Sequence, residues 1–143
     1  MAELIEKVSD WLKKMDLKII PIEDESKIVV NYKIEDHVFQ VLLIVSDEWI
    51  NAKALVAHVK NIHPSELRKL YRNVLAANWA LNEVTFSCDP DEGNIWCETD
   101  MPAETTFENF DVEFSSIPFG IKYFISEIAP TVSFTVRDTA LYV

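Results

Sequence analysis

An α+β domain of element order α-βββ-α-ββ-α, its antiparallel sheet covered by helices on one face, is predicted by three observations. Helical hydrophobic periodicity appears at the start, middle and end of the chain, period-two alternation fills the intervals, and acidic or Pro/Gly-containing turns interrupt that alternation. The length of 143 residues fits a single domain over 1–143, with a core over about 4–129 and a β-prone tail over 131–143. A hydrophobic fraction of 49% with only two glycines belongs to a well-packed globule, because disordered chains lack the apolar residues to build a core.

Each element has its own warrant. Leu4, Ile5, Val8, Trp11, Leu12 and Met15 recur at helical spacing between charges and form one apolar stripe on a first helix. With Glu35-Asp36 and Asp47-Glu48 at two hairpin tips, Tyr32 falls opposite Phe39, Val30 opposite Val41, Val41 opposite Ala54, and Leu43 opposite Ala52. One face of these three strands is then wholly apolar, running from Ile28, Val30, Tyr32 and Ile34 through Phe39, Val41, Leu43 and Val45 to Ile50, Ala52, Ala54 and Val56. Pro64 marks the start of a second helix carrying Leu67, Leu70, Tyr71, Val74, Leu75, Asn78 and Leu81 on its apolar side. The Asn78 amide needs partners there and is read as capping a nearby strand or turn. A second hairpin over Glu83–Met101 turns at Pro90-Asp91-Glu92-Gly93-Asn94 and sets Cys88 directly against Cys97, read as two buried thiols in preference to a disulfide. Thr105–Ala129 is mostly helical, with Pro118 expected to break it into a lead-in and a final helix. The stretch Val132–Val143 is an edge strand, a clamp on a neighbouring subunit or an ordered tail.

The other face of the first three strands mixes Asn31, Lys33, Gln40, Asn51 and Lys53 with apolar residues. Val29 and Leu42 are cross-strand neighbours there, with Ile44 and Leu55 close by, and they form an apolar patch rimmed by amides and lysines. Trp96 stands on the polar side of the second hairpin as a further contact residue. These five residues are the candidate protein-binding surface, weighed against the plainer reading of scattered surface hydrophobes.

Charge and motifs exclude much else. The formal net charge of −11 repels a phosphate backbone and anionic lipid surfaces, and it steers basic partners toward the protein. Nucleic acid and membrane are therefore not expected partners. Charges threaded through residues 1–17 leave no signal-peptide core, and no run approaches the roughly 18 apolar residues of a membrane span. A cytoplasmic location is expected. Two glycines cannot build a phosphate loop, His37, His58 and His63 lack metal-site spacing, and the Asp89–Asn94 turn departs from a calcium loop. No catalytic residue, cofactor or metal is expected.

The segment PSELRKLYRNVLAANWALNEVTFSCDPDEGNIWCETDMP, Pro64 to Pro102, leads from a helix through Leu81-Asn82 into the second hairpin. With the element order over roughly Leu4 to Ala129, it resembles the type III secretion chaperone-like fold, and more closely the YbjN-like branch. The resemblance implies a homodimer that holds unfolded or extended protein clients through apolar patches, without ATP and without a defined reaction. The alternative is a small-molecule-binding or enzymatic domain with a pocket between helices and sheet near Cys88, Cys97 and His58.

Overall fold

The computed structural model describes residues 2–140, which order as α1 (Ala2–Lys14), β1 (Ile19–Ile20), β2 (Lys27–Ile34), β3 (His37–Val45), β4 (Trp49–His58), α2 (Leu67–Ala80), β5 (Thr85–Cys88), β6 (Asn94–Pro102) and α3 (Phe107–Tyr123). Two 3₁₀ turns, Val59–Asn61 and Pro64–Glu66, link β4 to α2, and α3 runs on into a π-helical turn at Phe124–Ile128 and a 3₁₀ turn at Ala129–Val132. The strands form one antiparallel six-stranded sheet in the order β1-β2-β3-β4-β6-β5.

The register of β2, β3 and β4 is the one the two short tips dictate. Tyr32 pairs with Phe39, Val30 with Val41, Val41 with Ala54 and Leu43 with Ala52. All twelve residues of the apolar face are buried except Tyr32, which is half-buried. Helix α3 crosses this inner face against β2, β4 and β6, α1 packs on β1 and β2, and α2 lies by the β5 edge. An aromatic line runs beneath them from Trp11 to Phe110 (5.2 Å between centroids), on to Phe114 (5.3 Å, stacked) and Tyr32 (6.1 Å). Gly120 lets α3 come close to the sheet, since a methyl group there would run into Cys97 Sγ and Val84 Cγ2.

The structure revises three expectations. Ile19–Ile20 adds a two-residue strand against Val30 and Val29 that the pattern alone does not announce. Pro118 sits inside α3 and does not divide it. An interior proline costs about 3 kcal/mol, whereas Phe114, Ile117 and Ile121 around it are fully buried at about 1.5–3 kcal/mol each, so packing keeps the helix whole. The second hairpin is shifted by two residues, with Cys88 opposite Ile95 and Cys97 opposite Phe86. The cause is the turn: Asp89 exchanges backbone bonds with Asn94 and Gly93, and its carboxylate accepts the N–H groups of Asp91 (2.9 Å) and Glu92 (3.1 Å). Both thiols are free, Cys97 buried and Cys88 exposed, so the reading of two buried thiols holds for one of them.

Asn78 does what its position on an apolar helix face requires. Its amide donates to the Phe86 carbonyl (3.0 Å) and accepts the Phe86 N–H (2.6 Å), closing part of the outer edge of β5.

Candidate protein-binding face

On the outer face, directly paired residues line up in rows across the strands. One row reads Ile20, Val29, Leu42, Lys53, Glu98, Thr85, and the next reads Lys27, Ile44, Asn51, Asp100. A third row brings Asn31 and Gln40 on one side toward Leu55, Trp96 and Ser87 on the other. Leu42, Ile44, Leu55 and Trp96 therefore share one surface and are all half-buried. Val29 does not join them as a contact: flanked by Ile20 and Leu42, it is 2% exposed and forms the floor of the patch.

Polar chemistry borders this patch. The Asn51 amide donates to Glu98 Oε1 (3.2 Å) and Asp100 Oδ1 (2.7 Å), and the Ser87 hydroxyl donates to the same Glu98 carboxylate. Lys53 Nζ lies 5.5 Å from the centre of the Trp96 ring, which orients the indole while leaving it partly open. The result is an apolar strip of Leu42, Ile44 and Leu55 beside an acidic, hydrogen-bonded border.

The sheet is split at one end of this face. Ladder pairing between β3 and β4 runs from Val45 and Ile50 to Val41 and Ala54 and stops there, although β3 continues back to His37. Past a bulge between Leu55 and Ala57, β4 stays paired with β6 as far as His58, although its ladder with β3 has ended. The chain's own C-terminal segment enters the gap. Thr139 Oγ1 accepts the Gln40 N–H (3.0 Å) and donates to the Leu55 carbonyl (2.6 Å), joining the two residues the ladder would have paired next. The Val38 carbonyl receives the N–H groups of Thr139 (2.9 Å) and Ala140 (3.2 Å), and the Asp138 carboxylate accepts the Val38 N–H (2.9 Å) and lies 3.3 Å from His37 Nδ1. The described part of the tail is thus an ordered segment set into the sheet, not an edge strand, and its last three residues lie outside the described residues.

Two concavities and the reactive side chains bear on the enzymatic alternative. A cavity of about 240 Å³ beside the tail is lined by His58, Lys60, Asn61 and Arg137 among others, and neither cysteine contributes to it. An open groove of about 560 Å³ between α1 and the β3–β4 turn is lined by Glu3, Lys7, Asp47, Glu48 and Glu104. Burial, with Glu98 nearby, pushes the Cys97 thiol up to about 12, and burial with Asp89 raises that of Cys88. Neither thiol is activated as a nucleophile. His58 and His63 each accept a backbone N–H two residues on, Lys60 at 3.0 Å and Ser65 at 3.2 Å, as turn caps. Among the described residues no group of three or more His, Cys, Asp or Glu is gathered as metal ligands would be, and no helix is long and apolar enough to cross a membrane.

One surface departs from the sequence reading, which set Tyr71 and Leu75 on the apolar side of the second helix together with Leu70 and Val74. Helix α2 buries Leu70, Val74 and Ala77, so Tyr71, Leu75 and Trp79 turn outward as a second apolar stripe, with Leu75 68% and Trp79 92% exposed. The i, i+4, i+8 spacing was the available signal, with Trp79 as its conspicuous member.

Neither a protein-family model nor a curated protein matches this sequence. Solved structures do match over nearly the whole chain. YbjN from E. coli superposes with a TM-score of 0.69 at 16% identity, covering 94% of this chain and 96% of its own. The ExsC–ExsE complex gives 0.61 at 14% identity over 88% and 93%, and the HopA1–SchA chaperone–effector complex gives 0.56 at 14% over 83% and 91%. The fold is type III secretion chaperone-like.

Proposed function

We propose that this protein is a non-enzymatic, chaperone-like or adaptor protein that binds extended protein segments on the outer face of its sheet and acts as a homodimer. The carrying observation is the shared, half-buried surface of Leu42, Ile44, Leu55 and Trp96, on the face of the sheet opposite the one that α3 crosses. Support comes from the company of the fold: one of its structural neighbours is a chaperone bound to its effector. The charge of −11 favours basic client segments by steering their encounter. The exposed Tyr71, Leu75 and Trp79 stripe on α2 supports the homodimer, because a row of large apolar side chains facing water is best relieved by a second copy.

The test is titration of a permanently unfolded, reduced and alkylated protein against wild type and Leu42→Asp, with folding checked by circular dichroism. Leu42→Asp should weaken binding at least tenfold and cost about 1–3 kcal/mol of stability, since Leu42 is half-buried in a central strand. Equal binding by both would move the site off this face, and binding by neither would end the chaperone-like reading. Sedimentation of the wild-type sample tests the dimer directly.

A further inference from the structure

We propose that the split between β3 and β4 is a peptide-binding slot, closed in this structure by the chain's own segment Arg137–Ala140, and that it accepts an extended partner segment carrying an Asp-Thr or Asp-Ser pair. The proposal rests on the protein-binding reading above and names the chemistry of the bound segment.

The geometry of the slot supplies the specificity. On its β3 wall the N–H and carbonyl of Val38 and the N–H of Gln40 face away from β2's partner bonds into the gap, and on its β4 wall the Leu55 carbonyl does the same. Unmet polar groups of this kind are costly when buried, so something must fill the gap. A carboxylate is required at one position, where it accepts the Val38 N–H and sits beside His37. A hydroxyl is required at the next, because it must accept from Gln40 and donate to Leu55 at once, and only Ser or Thr does both at that reach. The slot adjoins Leu55 and Trp96, so a segment bound there continues onto the apolar strip.

The present occupant is built to leave. Phe134 is buried against Phe124 (6.1 Å between ring centroids) and anchors the tail, while Ser133 before it takes a left-handed φ of 53°. From Arg137 to Ala140 the chain forms no helix or strand, and Arg137 and Asp138 are exposed. Its hold is a handful of hydrogen bonds made by a tethered segment at about millimolar effective concentration. A partner segment with the same pair and added contacts on the strip displaces it.

The probe is a labelled synthetic peptide, TVRDTALYV, copying residues 135–143, titrated against full-length wild type and the full-length variant Asp138→Ala with Thr139→Val. The variant should bind the peptide at least tenfold more tightly than wild type. It should bind a peptide bearing Ala and Val at the two positions at least tenfold more weakly than the native one. Amide exchange gives a second readout: the Gln40 and Val38 N–H groups should exchange faster in the variant and regain protection with peptide. Asp138→Ala alone, at an exposed side chain, serves if the double variant fails to fold, and Thr139→Ser should behave as wild type. Equal peptide affinity for variant and wild type, or indifference to the two peptide substitutions, overturns the proposal. A wild-type dimer that the same double substitution dissociates assigns the slot to a second copy's tail and overturns it as well. Because the probe is the chain's own sequence, failure here leaves the outer-face client experiment standing, and the reverse holds too.

Discussion

The two faces of the sheet are built from alternate residues of the same strands, yet they are held by different physics. On the inner face the positions from Ile28 to Val56 answer mainly to volume: Val30, Val41 and Ala54 are fully buried, and the polar exceptions are few, the Tyr32 phenol and, on β6, the buried Thr99 hydroxyl that donates to Glu113 of α3 (2.8 Å). On the outer face individual pairs decide. Asn51 ties two carboxylates, Lys53 lies over Trp96, and Thr139 stands in for a missing ladder bond. An inner face of this kind tolerates no cavity, whereas an outer face of this kind can exchange one partner for another while the fold stays intact. The proposed binding role lies on the second because its bonds are few and replaceable.

The contrast breaks first at Phe114. Its ring is fully buried, stacked on Phe110 and tilted against Tyr32, so Phe114→Ala should cost about 3–5 kcal/mol through lost burial and an unfilled cavity. Urea unfolding measures it. A loss under 1 kcal/mol would mean that the inner face is as forgiving as the outer. The matching change on the outer face is Asn51→Ala, which removes the donor shared by Glu98 and Asp100 and should cost about 0.5–1.5 kcal/mol. Its effect should grow at low ionic strength, where salt screens the repulsion between the two carboxylates least. An Asn51 effect as large as that of Phe114 would place the outer network in the core.

How far these faces were legible follows from what sets each of them. Two-residue tips and strict alternation suffice to align β2 with β3 and β3 with β4, and so they separate Ile28, Val30 and Val41 from Val29, Leu42 and Ile44. The second hairpin misaligns by two because its register is chosen by the Asp89 carboxylate inside the turn, a contact that alternation does not encode. Helix α2 offers two apolar arcs, and burial of the small Ala77 decides between them in favour of exposing Leu75 and Trp79. The slot was least legible: it depends on a bulge beside Val56 and on a tail residue 99 positions from the Gln40 amide it caps. Local pattern reports on what each strand buries, not on which distant segment completes a broken ladder.

The smallest and most selective probe of the comparison is the proton on Cys97. Its side chain belongs to the inner face and is fully buried, whereas Cys88 on the neighbouring strand is exposed. Burial holds the folded-state Cys97 pKa at about 12, against an ordinary value of 9.0. The folded state keeps the proton that the unfolded chain gives up, so the stability this provides is complete well below pH 9.0 and declines as pH rises through 9.0 toward 12. From pH 8 to pH 9 the decline is only a fraction of a kcal/mol for one such group. Comparing urea midpoints of wild type and Cys97→Ala across that interval isolates it: the alanine variant is less stable throughout because it loses buried volume, but its slope with pH should be shallower by that amount. Identical slopes would mean that water reaches the Cys97 thiol, and the inner face would then be less sealed than its packing against Gly120 and Val84 requires.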